Sequence, residues 1–233
     1  MITLTYEQIS WIKNYADILK ENDLARFFNA LLRHEEDDLA IQELLQYMMV
    51  NIPDCLSYFT YIPSGLFYDI STIDGVPFSF AKLSDLCTDI REDAFQSCVA
   101  LSQIDLGNSI KYIRKYAFNN CGNLQSIKLP EGLEEIGDYA FGGCTSLTEF
   151  TIPKSVTKWG SDILFGCNFI QKVYVPEHII KHWQKITVEE LTHNNPTNIS
   201  YTQQQLDIVY PVFYKIYLGL SVGGNNDTEI IMY

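Results

Sequence analysis

The chain has 233 residues, 47% of them apolar, and 16 Lys and Arg against 29 Asp and Glu, for a net charge of −13. That apolar share supports a packed core and excludes a wholly disordered chain. No apolar run approaches the roughly 18 residues of a membrane span, and the acidic balance argues against clustered phosphate contacts, so neither a membrane span nor direct nucleic-acid binding is expected.

The opening residues, Met1-Ile2-Thr3-Leu4-Thr5-Tyr6-Glu7, show neither the basic nor the apolar part of a signal peptide, which predicts a cytoplasmic protein. Residues 1–60 do not repeat. Thr5 and Gln8 have the spacing of a capping box, and Ile9, Ile12, Ala16 and Leu19 follow at helical intervals. Leu24, Phe27, Phe28, Leu31 and Leu32 predict a second helix, and Ile41, Leu44, Leu45, Met48 and Met49 a third, ended by Asn51-Ile52-Pro53. The acidic run Glu35-Glu36-Asp37-Asp38 reads as a helix N-terminal turn, where carboxylates meet the positive end of the dipole, or as an acidic patch for a basic partner. This helical region either covers the first coil of the array described next or forms a separate partner-binding domain.

From residue 61 onward the chain reads as a solenoid. Cys98, Cys121, Cys144 and Cys167 recur every 23 residues, a repeat signature rather than a disulfide framework. Other positions fall into the same register. Ile90, Ile113, Ile136 and Trp159 open the units. Ala94-Phe95, Ala117-Phe118, Ala140-Phe141 and Ile163-Leu164 follow. After each cysteine come Leu101, Leu124, Leu147 or Ile170, then Ile104, Ile127, Phe150 or Val173, then Leu106, Leu129, Ile152 or Val175. The last of these segments alternates, as a half-buried strand does, and Gly107, Pro130, Pro153 or Pro176 closes it. One unit cannot bury its own apolar face, so stacking is required. A degenerate unit precedes the regular ones. Ile62-Pro63-Ser64-Gly65-Leu66-Phe67 matches the opening, and Phe78, Ala81 and Leu83 match the strand if about five residues are inserted.

The stretch from Ile136 to Val156, reading IGDYAFGGCTSLTEFTIPKSV, resembles the BspA-like class of leucine-rich repeat. The resemblance covers about residues 90–183. It implies an array running into a closing helix, in a family of mostly binding and adhesion proteins, many of them on cell surfaces.

Residues 184–233 break the pattern. Leu206, Ile208, Tyr210, Val212, Tyr214, Ile216, Leu218 and Leu220 alternate strictly, which predicts a strand, with Pro211 at an edge or a break. Gly223-Gly224-Asn225-Asn226-Asp227 predicts a turn and Glu229–Tyr233 a second strand, hence a hairpin that caps the last coil, pairs with the N-terminal region, or self-associates through an open edge. The expected fold class is therefore an α/β solenoid: a leucine-rich repeat array with an α-helical N-terminal cap and a β-hairpin-containing C-terminal extension. Its expected divisions are 1–60 helical, 61–183 solenoid with regular repeats over 90–182, and 184–233 extension.

Catalytic motifs are not found. No GxxxxGK[ST], GxGxxG or GxSxG occurs, and no CxxC. His178 and His182 stand four apart on the closing helix, but Ile179 stands where a zincin has its glutamate. The expectation is therefore no catalytic residue, no metal and no cofactor, and a function of binding another protein. The candidate binding positions are the variable residues of the strand segments: Ser102, Gln103 and Asp105; Gln125, Ser126 and Lys128; Thr148, Glu149 and Thr151; Gln171, Lys172 and Tyr174. A second row before the Ala-Phe pair adds Tyr116 and Tyr139, flanked by Asp93 and Asp162, with Tyr112 near it. Two other readings stay open. One is a surface or virion structural component assembling through its extensions. The other is an inhibitor encoded by a phage or mobile element, its charge engaging a basic surface.

Overall fold

In the computed structural model, the described residues are 56, 59–73, 76–193, 203–220 and 228–233. The three helices expected in 1–60 lie outside them, apart from the buried Leu56 and Phe59. In chain order the elements are β1 (Tyr61–Ile62), β2 (Thr72–Ile73), β3 (Val76–Pro77), β4 (Phe80–Lys82), β5 (Asp89–Ile90), β6 (Gln103–Asp105), β7 (Tyr112–Ile113), β8 (Glu135–Ile136), β9 (Glu149–Thr151), β10 (Lys158–Trp159), β11 (Lys172–Val175), α1 (Glu177–His193), α2 (Gln203–Leu218) and β12 (Glu229–Met232).

Each unit is one coil, and the coils stack in parallel. The opening positions form a five-stranded parallel sheet in the order β1-β5-β7-β8-β10, with Ile62, Ile90, Ile113, Ile136 and Trp159 in one register. The degenerate unit is a true coil. Phe67 stacks on Phe95 at 4.8 Å, and Ala81 pairs with Ile104 where β4 meets β6. The extra length between Phe67 and Ala81 holds the antiparallel pair β2–β3.

The Ala-Phe segments make the third side of the coil. Phe67, Phe95, Phe118 and Phe141 each donate their N–H to the carbonyl of Ala94, Ala117, Ala140 or Ile163 in the next coil, at 2.8–3.0 Å. Their rings are fully buried and form a column at 4.8–5.3 Å spacing. The cysteines complete this layer. Each thiol donates to a carbonyl one coil back: Cys98 to Phe67 at 2.9 Å, Cys121 to Phe95 at 3.1 Å, Cys144 to Phe118 at 3.2 Å and Cys167 to Phe141 at 3.1 Å. The repeated residue is therefore a small apolar group that also satisfies a buried carbonyl.

Burial pushes the thiols of Cys87 and Cys167 up to about 12, and raises those of Cys98 and Cys144 as well. An unfolded thiol ionises near 9, so above that pH the unfolded chain binds fewer protons than the folded one. Stability is fully present below pH 9 and is lost as pH rises toward 12, by up to about 1.4 kcal/mol per thiol per pH unit. Urea midpoints measured from pH 8 to 11 should therefore fall. Ellman's reagent at pH 8 should label these buried thiols only after denaturation; fast labelling of the native protein would contradict the burial.

Two expectations are corrected. The alternating segments predict a strand in every unit, but residues 124–130 form none, so the second strand face divides into β4–β6 and β9–β11–β12. Among the described residues, the inter-coil backbone bond of that segment is Gln125 N–H to Ser102 O at 3.2 Å. Leu124 and Leu129 still pack into the core. The larger correction concerns the C-terminal hairpin. Its first arm is the helix α2, with Pro211 inside it. A strict two-residue alternation over fifteen residues also contains a four-residue series, and the helix uses that series: Leu206, Tyr210, Tyr214 and Leu218 are buried while Val212 and Ile216 are exposed. Packing against α1 and the buried Trp183 settles the choice.

The second arm does form a strand, but β12 pairs in parallel with β11 of its own array. The hairpin is therefore replaced by a helix and a strand, and of the three expected roles β12 takes that of capping the last coil. Residues 218–220 and 228–233 instead build a closing partial coil. Leu218 O accepts the Leu164 N–H at 2.8 Å, the role played by Ala94 or Ala117 in earlier coils. Gly219 follows at φ +74°, where an added Cβ would lie 2.7 Å from Asp162 Cα. Thr228 Oγ donates to Ile170 O at 2.8 Å, and the Tyr233 hydroxyl donates to Ile152 O at 2.6 Å.

Candidate binding surfaces

The sequence-derived strand row points outward. Gln103, Asp105, Gln125, Ser126, Lys128, Thr148, Glu149, Thr151 and Gln171 are exposed, and Ser102, Lys172 and Tyr174 half-buried. The coils align these residues, but the row is broken where residues 124–130 leave the ladder. It carries one ion pair, Lys172 to Glu149 at 4.0 Å between two largely exposed side chains, which contributes little.

The five-stranded sheet presents a second surface that sequence reasoning missed. An open groove of about 700 Å³ runs beside it, lined among others by Asp89, Arg91, Arg114, Glu135, Lys158 and Trp159. The position after each opening residue is Pro63, Arg91, Arg114, Gly137 and Gly160. Two successive arginines followed by two glycines in one repeat slot was the legible signal. Gly137 is required by stacking, since an added Cβ would run into the backbone of Arg114 and Lys115.

Arg114 ties three coils together. Its Nε and Nη2 donate to the two carboxylate oxygens of Asp89 at 3.0 and 3.2 Å, and its Nη1 donates to Glu135 at 3.0 Å. The guanidinium also lies 4.4 Å over the Tyr112 ring. The hydrogen bond to Asp89 and the charges of Asp89 and Glu135 hold it above the ordinary arginine value, against some desolvation. Arg91 lies 3.9 Å over the Tyr61 ring, and burial with the nearby Arg114 charge lowers it. The cations and carboxylates here are held in fixed places, so this is a rigid polar platform with aromatic backing.

Tyr116 and Tyr139 are half-buried on the turn edge. Their rings are 5.5 Å apart, and Tyr139 meets the exposed Phe165 edge-on at 5.8 Å. The histidine pair is otherwise engaged. His178 Nε2 is 2.8 Å from Val156 O, and His182 meets the Trp159 ring edge-on at 5.3 Å. Among the described residues, no cluster of three or more His, Cys, Asp or Glu forms, and no helix is long and apolar enough to cross a membrane.

A coil of this length, built on stacked phenylalanines and repeated cysteines, defines a leucine-rich repeat solenoid. The model of the BspA type leucine rich repeat region matches residues 60–187 and 88–215, and the chain belongs to that family. Membership suggests a protein-interaction scaffold. Among solved structures, the chain is similar to a leucine rich repeat protein of T. pallidum, with 30% identity over 45% of this chain and 56% of that one, at a TM-score of 0.40. It is also similar to a leucine-rich repeat protein from Bacteroides ovatus, with 26% identity over 49% and 34% and a TM-score of 0.43. A leucine rich cell surface protein of Faecalibacterium prausnitzii shares 23% identity over 66% and 38%, with a TM-score of 0.43. The chain thus spans between a third and about half of the length of these relatives. No curated protein matches it.

Proposed function

We propose that this array is a non-enzymatic recognition scaffold that binds another protein through the groove beside its five-stranded sheet. The observation that carries the reading is the gathering of Arg91 on Tyr61, Arg114 on Tyr112, and Trp159 along one open groove. Tyrosine, tryptophan and arginine dominate interface hot spots. Because these side chains are already held, ordering them on binding costs little. The strand row is polar and holds no arginine, its aromatics being Tyr174 and the exposed Phe80 beside Gln103, so it ranks second. Free, buried cysteines at 87, 98, 121, 144 and 167 suit a reducing compartment, which supports a cytoplasmic setting.

The test uses the full-length protein as bait in an extract of its source cell. The doubly substituted groove variant Arg91→Glu with Lys158→Glu should retain at least tenfold less of the captured partner. The strand-row variant Gln103→Arg with Glu149→Arg should retain it fully. The reverse pattern would move the binding face to the strand row, and loss in neither would place binding off the solenoid.

A further inference from the structure

The turn edge holds two residues that the fold does not explain. Tyr116 and Tyr139 adopt φ of 57° and 52°, in the left-handed region. The same slot in other coils holds Gly65, Asp93 and Asp162, also at positive φ. Glycine tolerates that conformation and aspartate visits it at modest cost, whereas a bulky side chain there is an outlier. Nothing in the core requires an aromatic ring at this slot, because both tyrosines are only half-buried. Phe165 is equally unforced. It is 56% exposed, and its slot holds the exposed Tyr68 in the first coil and Gln96, Asn119 and Gly142 in the next three, so no aromatic ring is required there. The rings pack on one another across the coils and not into the core, and residues kept in a costly conformation that the core does not require point toward function.

The chemistry of the strip selects its ligand. Asp93, Asp138 and Asp162 flank the aromatic rungs, and Lys115, 4.7 Å over Tyr116, is the cation among them. The Asp162 carboxylate beside Tyr139 raises that phenol above its ordinary value. An ionised carboxylate offers several lone pairs to an incoming donor. Elsewhere this protein places its own cations on tyrosines: Arg91 on Tyr61, Arg114 on Tyr112 and Lys154 on Tyr233. Among the described residues, no cation lies over Tyr139 or Phe165.

We propose that the strip formed by Tyr116, Tyr139 and Phe165 is a docking site for a short, extended, arginine-bearing segment of a partner protein. A guanidinium would lie against Tyr139 and Phe165 and donate to Asp162 or Asp138, combining cation–π contact with a charged hydrogen bond. The three rings follow at 5.5 and 5.8 Å, so the site spans roughly three or four extended residues at about 3.4 Å each. The three rings lie outside the lining of the groove, but the strip borders it and shares Lys115 and Asp138 with it, so the groove variant serves as the control.

The probes are acetylated, amidated tetra-arginine and tetra-lysine peptides, titrated calorimetrically into the full-length protein at physiological salt. Tetra-arginine should bind at least fivefold more tightly than tetra-lysine. General attraction to an acidic protein would not separate two peptides of equal charge. The variant Tyr139→Asn with Phe165→Asn should abolish the preference while keeping the fold, since asparagine suits the left-handed slot and polar residues fill the other. Its melting temperature checks the fold. The single variant Asp162→Asn should weaken tetra-arginine binding with the aromatics in place. Equal affinity for the two peptides, or a preference that survives the aromatic variant, would overturn the proposal. Loss of the preference in the groove variant Arg91→Glu with Lys158→Glu, and not in the aromatic variant, would also overturn it.

Discussion

Replacing Phe118 by alanine should destabilise the protein by about 3–5 kcal/mol in urea unfolding. The ring is fully buried and lies between two others, 5.1 Å from Phe95 and 5.3 Å from Phe141, with interplanar angles of 5° on both sides. Truncation removes the transfer free energy of the ring, leaves a cavity, and cancels two stacking contacts of about 0.5–1.5 kcal/mol each. Its neighbours cannot collapse into the space, because their backbone N–H groups are fixed to the next coil at 2.8–3.0 Å. The position matters for a second reason. In a solenoid each coil is stabilised only by its neighbours, so a weak interface in the middle uncouples the two halves. The unfolding transition of Phe118→Ala should therefore broaden as well as shift, with a lower apparent m-value. Phe118→Leu, which keeps most of the volume, should retain a single sharp transition. A loss below 1 kcal/mol for the alanine variant would mean that the column is not the spine of the array.

The coil itself was legible because its chemistry recurs. Four cysteines at equal intervals set the register, and the paired Ala-Phe positions fixed which face is buried. Even the insertion in the first coil could be sized, and the structure fills it with β2–β3. Three features were not legible. In α2 the strand and helix signals coincided, since Leu206, Tyr210, Tyr214 and Leu218 satisfy both periods. Only the tertiary partner, Trp183, decides between them, and no local pattern contains it. The groove was hidden for a different reason. Sequence reasoning placed the exposed face on the alternating segment, where period-two patterning announces an outward row. The opening strands are two residues long, too short to show any alternation. Tyr61, Arg91, Tyr112 and Arg114 could be grouped only by reading across coils at the two slots that flank the opening residue. The left-handed tyrosines were visible as residues but not as strained ones, because φ is set by the inter-coil bonds, as in Tyr116 N–H to Asp138 O at 2.9 Å.

Trp183→Ala should open the C-terminal end of the array while leaving its middle intact. Among the described residues, Trp183 is the largest fully buried side chain. It meets Trp159 of the last regular coil edge-on at 6.4 Å, and Tyr214 and Tyr217 of α2 at 5.8 and 5.7 Å. It is thus the piece shared by β10, α1 and α2. Its loss removes about 3–5 kcal/mol from that junction. The closing coil depends on the same docking: α2 delivers Leu218, whose carbonyl holds the Leu164 amide, and Gly219, which sits against Asp162. The Thr187 hydroxyl bridges the Trp183 carbonyl at 2.8 Å and the Tyr217 hydroxyl at 3.1 Å, so the variant also loosens a buried polar link. Hydrogen exchange gives a residue-level readout. The Leu164 amide, bonded to Leu218, should lose most of its protection. The Phe118 amide, two coils away from Leu164 and bonded to Ala140 of the next coil, should keep it. A uniform loss at both amides would show that the end and the middle unfold as one unit, and that the closing coil is an integral part of the spine instead of a removable cap. Unchanged protection at Leu164 would show that β12 holds the end closed without α2.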